Sequence, residues 1–179
     1  STDGMVLSNI VTSDGDSLDV CKKAFFMQLN TGTGQMLTYG KPTTTEEGFS
    51  QILCGHNSQM RHSIVAKNNR VIMPVQFNKS IAWNDTAILL EENQKGFGLY
   101  MWDYEGHPIN FIHVETSPTT QHLFGSFVNL HDSILYFSGH FEYPVNASFG
   151  IDDVTCSGNS IAYMAKYIDT AFMTPYVHT

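Results

Sequence analysis

HLFGSFVNL (122–130) and SILYFSG (133–139), parted only by His131 and Asp132, decide how this chain folds. Both runs are rich in β-branched and aromatic residues, and the break between them carries turn chemistry. They read as strand, tight turn, strand. Working outward, the same texture recurs in AFFMQL (24–29), QMLTYG (35–40), FSQILCG (49–55), HSIVAK (62–67), RVIMPVQF (70–77), TAILLEE (86–92), GFGLYMWDY (96–104), NFIHVET (110–116) and SIAYMAKYID (160–169). The stretches between them, such as NTGTG, GKPTTTEEG, KNN, NDT, NQKG and EGHP, supply the Gly, Asn, Asp and Pro that turns require. About eleven short strands at close spacing make an all-β sandwich of two antiparallel sheets the natural architecture.

Two runs carry further detail. SIAYMAKYI puts Ile161, Tyr163, Ala165 and Tyr167 on one face of a strand; a helix competes there, because Ala, Met and Lys are good helix formers. Pro74 lacks an N–H for the ladder, which places RVIMPVQF at an edge or bulge. Residues 1–20 read as a leader or linker with room for one edge strand, residues 21–172 as the sandwich, and residues 173–179 as a tail. The opening, polar and acidic through Ser17, carries no signal peptide and reads as a cut fragment. No apolar run approaches the ~20 residues needed to span a bilayer.

Composition narrows the function. Hydrophobic residues make up 42% of the 179 positions and charged ones 15%, which argues against disorder. The formal net charge of −8 repels phosphate backbones, so nucleic acid is an unsuitable partner. Cys21, Cys54 and Cys156 are odd in number and lack CxxC spacing, so at least one is unpaired and neither a disulfide framework nor a zinc site is expected. The eight histidines include no HExxH or HxH; His113 and His122 flank a proline-containing loop that could bring them together. No nucleophile elbow is present, and the consecutive His131-Asp132-Ser133 would diverge in a turn. The acid pairs Glu46-Glu47, Glu91-Glu92 and Asp152-Asp153 are adjacent, whereas glycosidase chemistry needs carboxyls facing across about 5–9 Å. Three Asn-x-Ser/Thr sequons, at Asn78, Asn84 and Asn146, matter only in a secretory compartment. Neither an enzyme nor a cofactor or metal site is expected.

What remains suits sugars, which are held by flat rings and small polar groups. The densest such cluster is Tyr100-Met101-Trp102-Asp103-Tyr104-Glu105-Gly106-His107. Strand alternation would put Tyr100, Trp102 and Tyr104 on one face. At least one of these rings belongs to the core, and an exposed one is the candidate for stacking on a sugar. Trp83 reads as core.

The order of strands and turns from about Ala24 to Ile168 resembles the receptor-binding head of the rotavirus outer-capsid spike, the fragment that trypsin releases. AFFMQLNTGTGQMLTYG is similar to that family's opening hairpin. FSQILCGHNSQMRHSIVAKNNRVIMPVQFNKSIAW is similar to its central block, ending at Trp83. HLFGSFVNLHDSILYFSGHFEYPVNASFGIDD is similar to its late hairpin, and SIAYMAKYID to its last long strand. The resemblance implies a galectin-like sandwich with a glycan-binding cleft, a viral attachment role at the virion surface, synthesis in the host cytoplasm, and two partners: host cell-surface glycans and the rest of the spike. It implies no nucleic-acid binding and no membrane insertion by this domain. The arginine that sialic-acid-binding members carry before the FSQIL-like strand has no counterpart, since Glu46, Glu47 and Gly48 stand there. Neutral, blood-group-type glycans are therefore the expected ligands. The family's second sugar wall falls on Ser148, Phe149 and Gly150. The segment between Gly96 and Gln121 is longer than in the best-known members, and the galectin motif His-x-Asn-Pro-Arg is absent, which suggests a member outside the most studied group. Candidate glycan-binding residues are thus Tyr100, Trp102, Tyr104, His107, Ser148 and Phe149. A structural or protein-binding spike module is the rival reading.

Overall fold

The structure, a computed structural model, describes residues 9–11, 17–19, 25–44, 49–51, 64–92, 94–116, 122–142, 145–148, 153–156 and 160–177. Among the described residues sixteen strands form, all antiparallel in their pairings. Each of the eleven runs named above carries one: β3 (Phe26–Leu29), β4 (Met36–Gly40), β5 (Phe49–Gln51), β6 (Val65–Lys67), β7 (Arg70–Asn78), β9 (Thr86–Leu89), β10 (Lys95–Trp102), β11 (Pro108–Thr116), β12 (His122–His131), β13 (Ile134–Glu142) and β16 (Ser160–Ile168). The last is a strand and not the competing helix. Five more strands lie in stretches that read as turns or leader: β1 (Asn9–Val11), β2 (Ser17–Asp19), β8 (Ser80–Trp83), β14 (Val145–Ser148) and β15 (Asp153–Cys156). Among the described residues the only helical element is a single 3-10 turn, Thr170–Met173, and no helix is long and apolar enough to cross a membrane. The all-β, antiparallel expectation is met.

Turn chemistry explains the hairpins. The β12–β13 turn needs a left-handed residue, which Asp132 supplies at φ 51°. Asn68 and Asn69, at φ 53° and 56°, close β6 onto β7 in the two-residue geometry that asparagine tolerates. Pro74 faces Leu99 of β10 on one side of β7. On the other side β6 pairs with Arg70 to Ile72 and β5 with Gln76 to Asn78, so Pro74 falls between the two partners, where no ladder N–H is required.

Two principal sheets face each other. One has seven strands in the order β15-β14-β11-β10-β7-β5, with β6 also on β7; the other is β12-β13-β16. Phe97, Leu99, Met101, Ile72 and Val114 from the first meet Val128, Leu130, Leu135, Phe137 and Tyr163 from the second, with Phe172 at the end of this core. The opposite face of the large sheet is not left to water. The β3–β4 and β8–β9 hairpins cover it, packing Phe26, Ile81, Trp83 and Ile88 against Val71, Met73, Val75, Phe77, Tyr100, Trp102 and Phe111. A bridge between Thr43 and Ala82 ties the two covers together. Trp83 is accordingly a half-buried core residue, its ring 5.6 Å from Phe111. The C-terminal stretch that reads as a tail is bonded to the body as far as Tyr176.

Candidate functional site

The second covering layer corrects two of the expected site residues. Tyr100 and Trp102 both lie on the covered face and expose nothing. Their rings sit 4.5 Å apart, and Phe26 meets Trp102 edge-on at 5.3 Å. Their polar tips are occupied as well. The Tyr100 hydroxyl donates to the Ala82 carbonyl at 2.5 Å and the Trp102 indole N–H to the Lys41 carbonyl at 3.3 Å. Burial also raises the Tyr100 phenol pKa. A sugar cannot reach either ring; both fasten the hairpins to the sheet.

Tyr104 and His107 differ, because the chain leaves the sheet after Trp102 and turns back into β11. Asp103 builds that turn. Its carboxylate, almost fully buried, accepts the backbone N–H groups of Glu105 and His107 at 2.9 Å each and meets His107 Nδ1 at 3.0 Å. The Asp103 N–H donates to the His107 carbonyl, closing the loop at 2.9 Å. Gly106 at φ 90° is required twice: for that backbone angle, and because a β-carbon there would lie 2.1 Å from the Tyr39 carbonyl oxygen. The tip of the turn therefore presses on β4, where Thr38 Oγ1 donates to the Glu105 carbonyl at 2.9 Å.

The result is a firm rim. Tyr104 is half-buried against the second core, the His107 side chain is 49% exposed and that of Glu105 76% exposed, and Tyr39 of β4, itself 39% exposed, meets the turn through its backbone carbonyl at Gly106. Tyr39 and Thr38 were not singled out in the sequence. Their signal was the alternation of QMLTYG, which sends Leu37 and Tyr39 to the outer face of the hairpin while Gly40 packs inward. Rings, a carboxylate and a hydroxyl on a turn whose N–H groups are all hydrogen-bonded can hold a polar, uncharged ligand through directional bonds and stacking. Asp103, Glu105 and His107 also bring one ligand atom each within 4.8 Å of one another. Both Asp103 oxygens already serve the turn, so this cluster is explained by the fold.

Ser148 does not join this rim. Ser148, half-buried on β14, pairs with Glu115 of β11, whereas the turn enters β11 at Pro108. Seven residues of strand separate the two points, about 23 Å at roughly 3.3 Å per residue. Ser148 thus belongs to the far end of the sheet. Phe149 lies outside the described residues, as do Glu46, Glu47, Cys21 and Cys54. His113, one of the pair weighed for a metal, stacks on Phe111 at 6.1 Å, and burial lowers its pKa; the side chain of His122 lies outside the description. Comparison with known protein families, with curated proteins and with solved structures finds no match to this chain.

Proposed function

We propose that this chain is a non-catalytic glycan-binding domain, an attachment module of the kind that heads the rotavirus outer-capsid spike, and that it takes neutral, blood-group-type sugars at the Tyr39–Tyr104–His107 rim. Its setting is the virion surface, joined to the rest of the spike. The observation that supports this reading is the rim itself: the exposed His107 imidazole and the half-buried Tyr104 ring beside hydrogen-bonding groups, on a turn braced by Asp103 and Thr38. A preformed site of this kind loses little entropy on binding. The exposed Glu105 carboxylate and the net charge of −8 disfavour a sialate and leave neutral sugars as the better ligand. Single-site affinity is around millimolar, roughly −4 kcal/mol, with avidity from many copies on one particle.

The test is a glycan array probed with the domain displayed multivalently, beside a Tyr39→Ala variant. Neutral fucosylated glycans should give signal, and the variant should lose about tenfold of it, ~1.4 kcal/mol, with its melting temperature unchanged. Silence across all glycans would remove the proposal.

One feature favours the rival, protein-binding reading. The outer face of the β3–β4 hairpin exposes Leu29 and Leu37 at 47% and 56%, aliphatic groups better suited to a protein than to a sugar. Binding to receptor-bearing cells that persists after their glycans are stripped would select it.

A further inference from the structure

One side-chain amide joins two parts of the chain far apart in sequence. Asn69, in the β6–β7 turn, donates through Nδ2 to the Tyr176 carbonyl at 2.7 Å and accepts at Oδ1 from the Tyr104 N–H at 3.3 Å. The C-terminal side of this bridge is densely held. The neighbouring Asn68 donates to the Phe172 carbonyl at 2.7 Å and accepts from the Tyr176 N–H at 3.0 Å. Arg70, only 5% exposed, donates to the carbonyls of Thr174 at 2.7 Å and Ala171 at 2.9 Å, and its guanidinium lies 5.7 Å from the Phe172 ring and 5.6 Å from the Tyr176 ring. At the segment's start, the Asp169 N–H donates to the Ser133 carbonyl at 2.8 Å, and Asp169 Oδ1 caps the 3-10 turn by accepting from Ala171 N. These are several charge-assisted or buried contacts on a segment of eight residues, 169–176, that contributes one large side chain, Phe172, to the core.

We propose that residues 169–176 are a clasp that, through Asn69, holds the Tyr104–His107 turn in its ligand-ready shape, so that binding at the rim depends on a segment that does not touch the ligand. The placement of the ligand rests on the function proposed above; the clasp itself rests only on the bonds just given. Asn69 is then a positioning residue. The left-handed backbone at φ 56° explains why asparagine suits the place, and the two-way amide explains why its side chain matters there.

The test is amide hydrogen exchange, residue by residue, on the full chain and two variants without any ligand. Asn69→Gly keeps the left-handed turn and deletes the bridge. Tyr176→Pro deletes the Tyr176 N–H and its ring while touching no residue of the rim. In both, the Tyr104 amide should exchange at least about fivefold faster while those of Leu99 and Phe137 keep their protection. The same Asn69→Gly variant should weaken multivalent glycan binding about tenfold. Should Tyr176→Pro not fold, Tyr176→Ala, which deletes the ring over Arg70, takes its place. Unchanged Tyr104 exchange in Asn69→Gly, or in the folded Tyr176 variant, overturns the clasp. Absence of glycan binding by the unaltered chain instead removes the proposed function and leaves the exchange result standing.

Discussion

β10 and β16 are written in similar letters and fold into different surroundings. Both place aromatic residues among Gly, Ala and Met. From Gly96 to Trp102, however, every residue of β10 is buried, whereas β16 buries Tyr163 and leaves its neighbour Met164 79% exposed. Position in the sheet accounts for the difference. β10 lies between β7 and β11 with a core against each face. β16 ends the three-stranded sheet, and among the described residues only one of its faces meets a core. Alternation along a strand therefore reports how many faces are dry. One dry face gives a period of two, and two dry faces abolish it.

The deepest point of β10 offers the largest test of that contrast. Trp102→Ala removes a fully buried ring together with the indole N–H bond to the Lys41 carbonyl. The expected cost is about 3–5 kcal/mol, which in a domain of this size lowers the melting temperature by roughly 6–20 °C. Thermal unfolding followed by circular dichroism measures it. A loss below about 1 kcal/mol would mean that the hairpin cover over Trp102 is not a packed layer, and would return that ring to the list of possible ligand contacts.

The same contrast explains what the sequence made legible. Strand identity was readable almost throughout, because each strand needs only its own apolar run and flanking turn residues. The exceptions were short or polar: SIAW, VNAS and DVTC hold four residues each, too few for a period to emerge. Layer count was harder. Nothing local to GFGLYMW says that β3–β4 and β8–β9 will fold over it, although seven residues without one charged side chain or side-chain amide are themselves the mark of a strand dry on both faces. Treating that run as half-wet is what put Tyr100 and Trp102 in the site. His107 and the half-buried Tyr104 remained candidates because they follow the end of the strand, where EGHP already signalled a turn. Tyr39 became a neighbour of theirs only through the fold, since the contact between Gly106 and the Tyr39 carbonyl spans some sixty-seven residues, the same separation as the Thr38–Glu105 bond.

A smaller perturbation asks how tightly the two layers grip β10. A β-carbon at Gly98 would lie 2.3 Å from the Ile112 carbonyl oxygen and 2.4 Å from the edge of the Phe111 ring. Backbone cannot retreat within a central ladder, so Gly98→Ala should cost about 1–3 kcal/mol through overpacking. Chemical denaturation with an unchanged m-value checks it. A neutral result would show that the Phe111 ring and its strand can give way, and the contrast with β16 would then be one of exposure without any difference in rigidity.

On β16 the corresponding change should be nearly silent. Met164 lies opposite Ser138 on the outward face of the sheet, so Met164→Gln exchanges one exposed, flexible side chain for another. Its cost should stay within about 0.5 kcal/mol. The informative outcome is the opposite one. If Met164→Gln were as damaging as Gly98→Ala, something must cover that face in solution, since an exposed thioether has no packing to lose. Stability that also rose with protein concentration would identify the cover as a second copy of the chain, because only association makes unfolding concentration-dependent. β16 would then be dry on both faces like β10, with its second layer supplied from outside the chain.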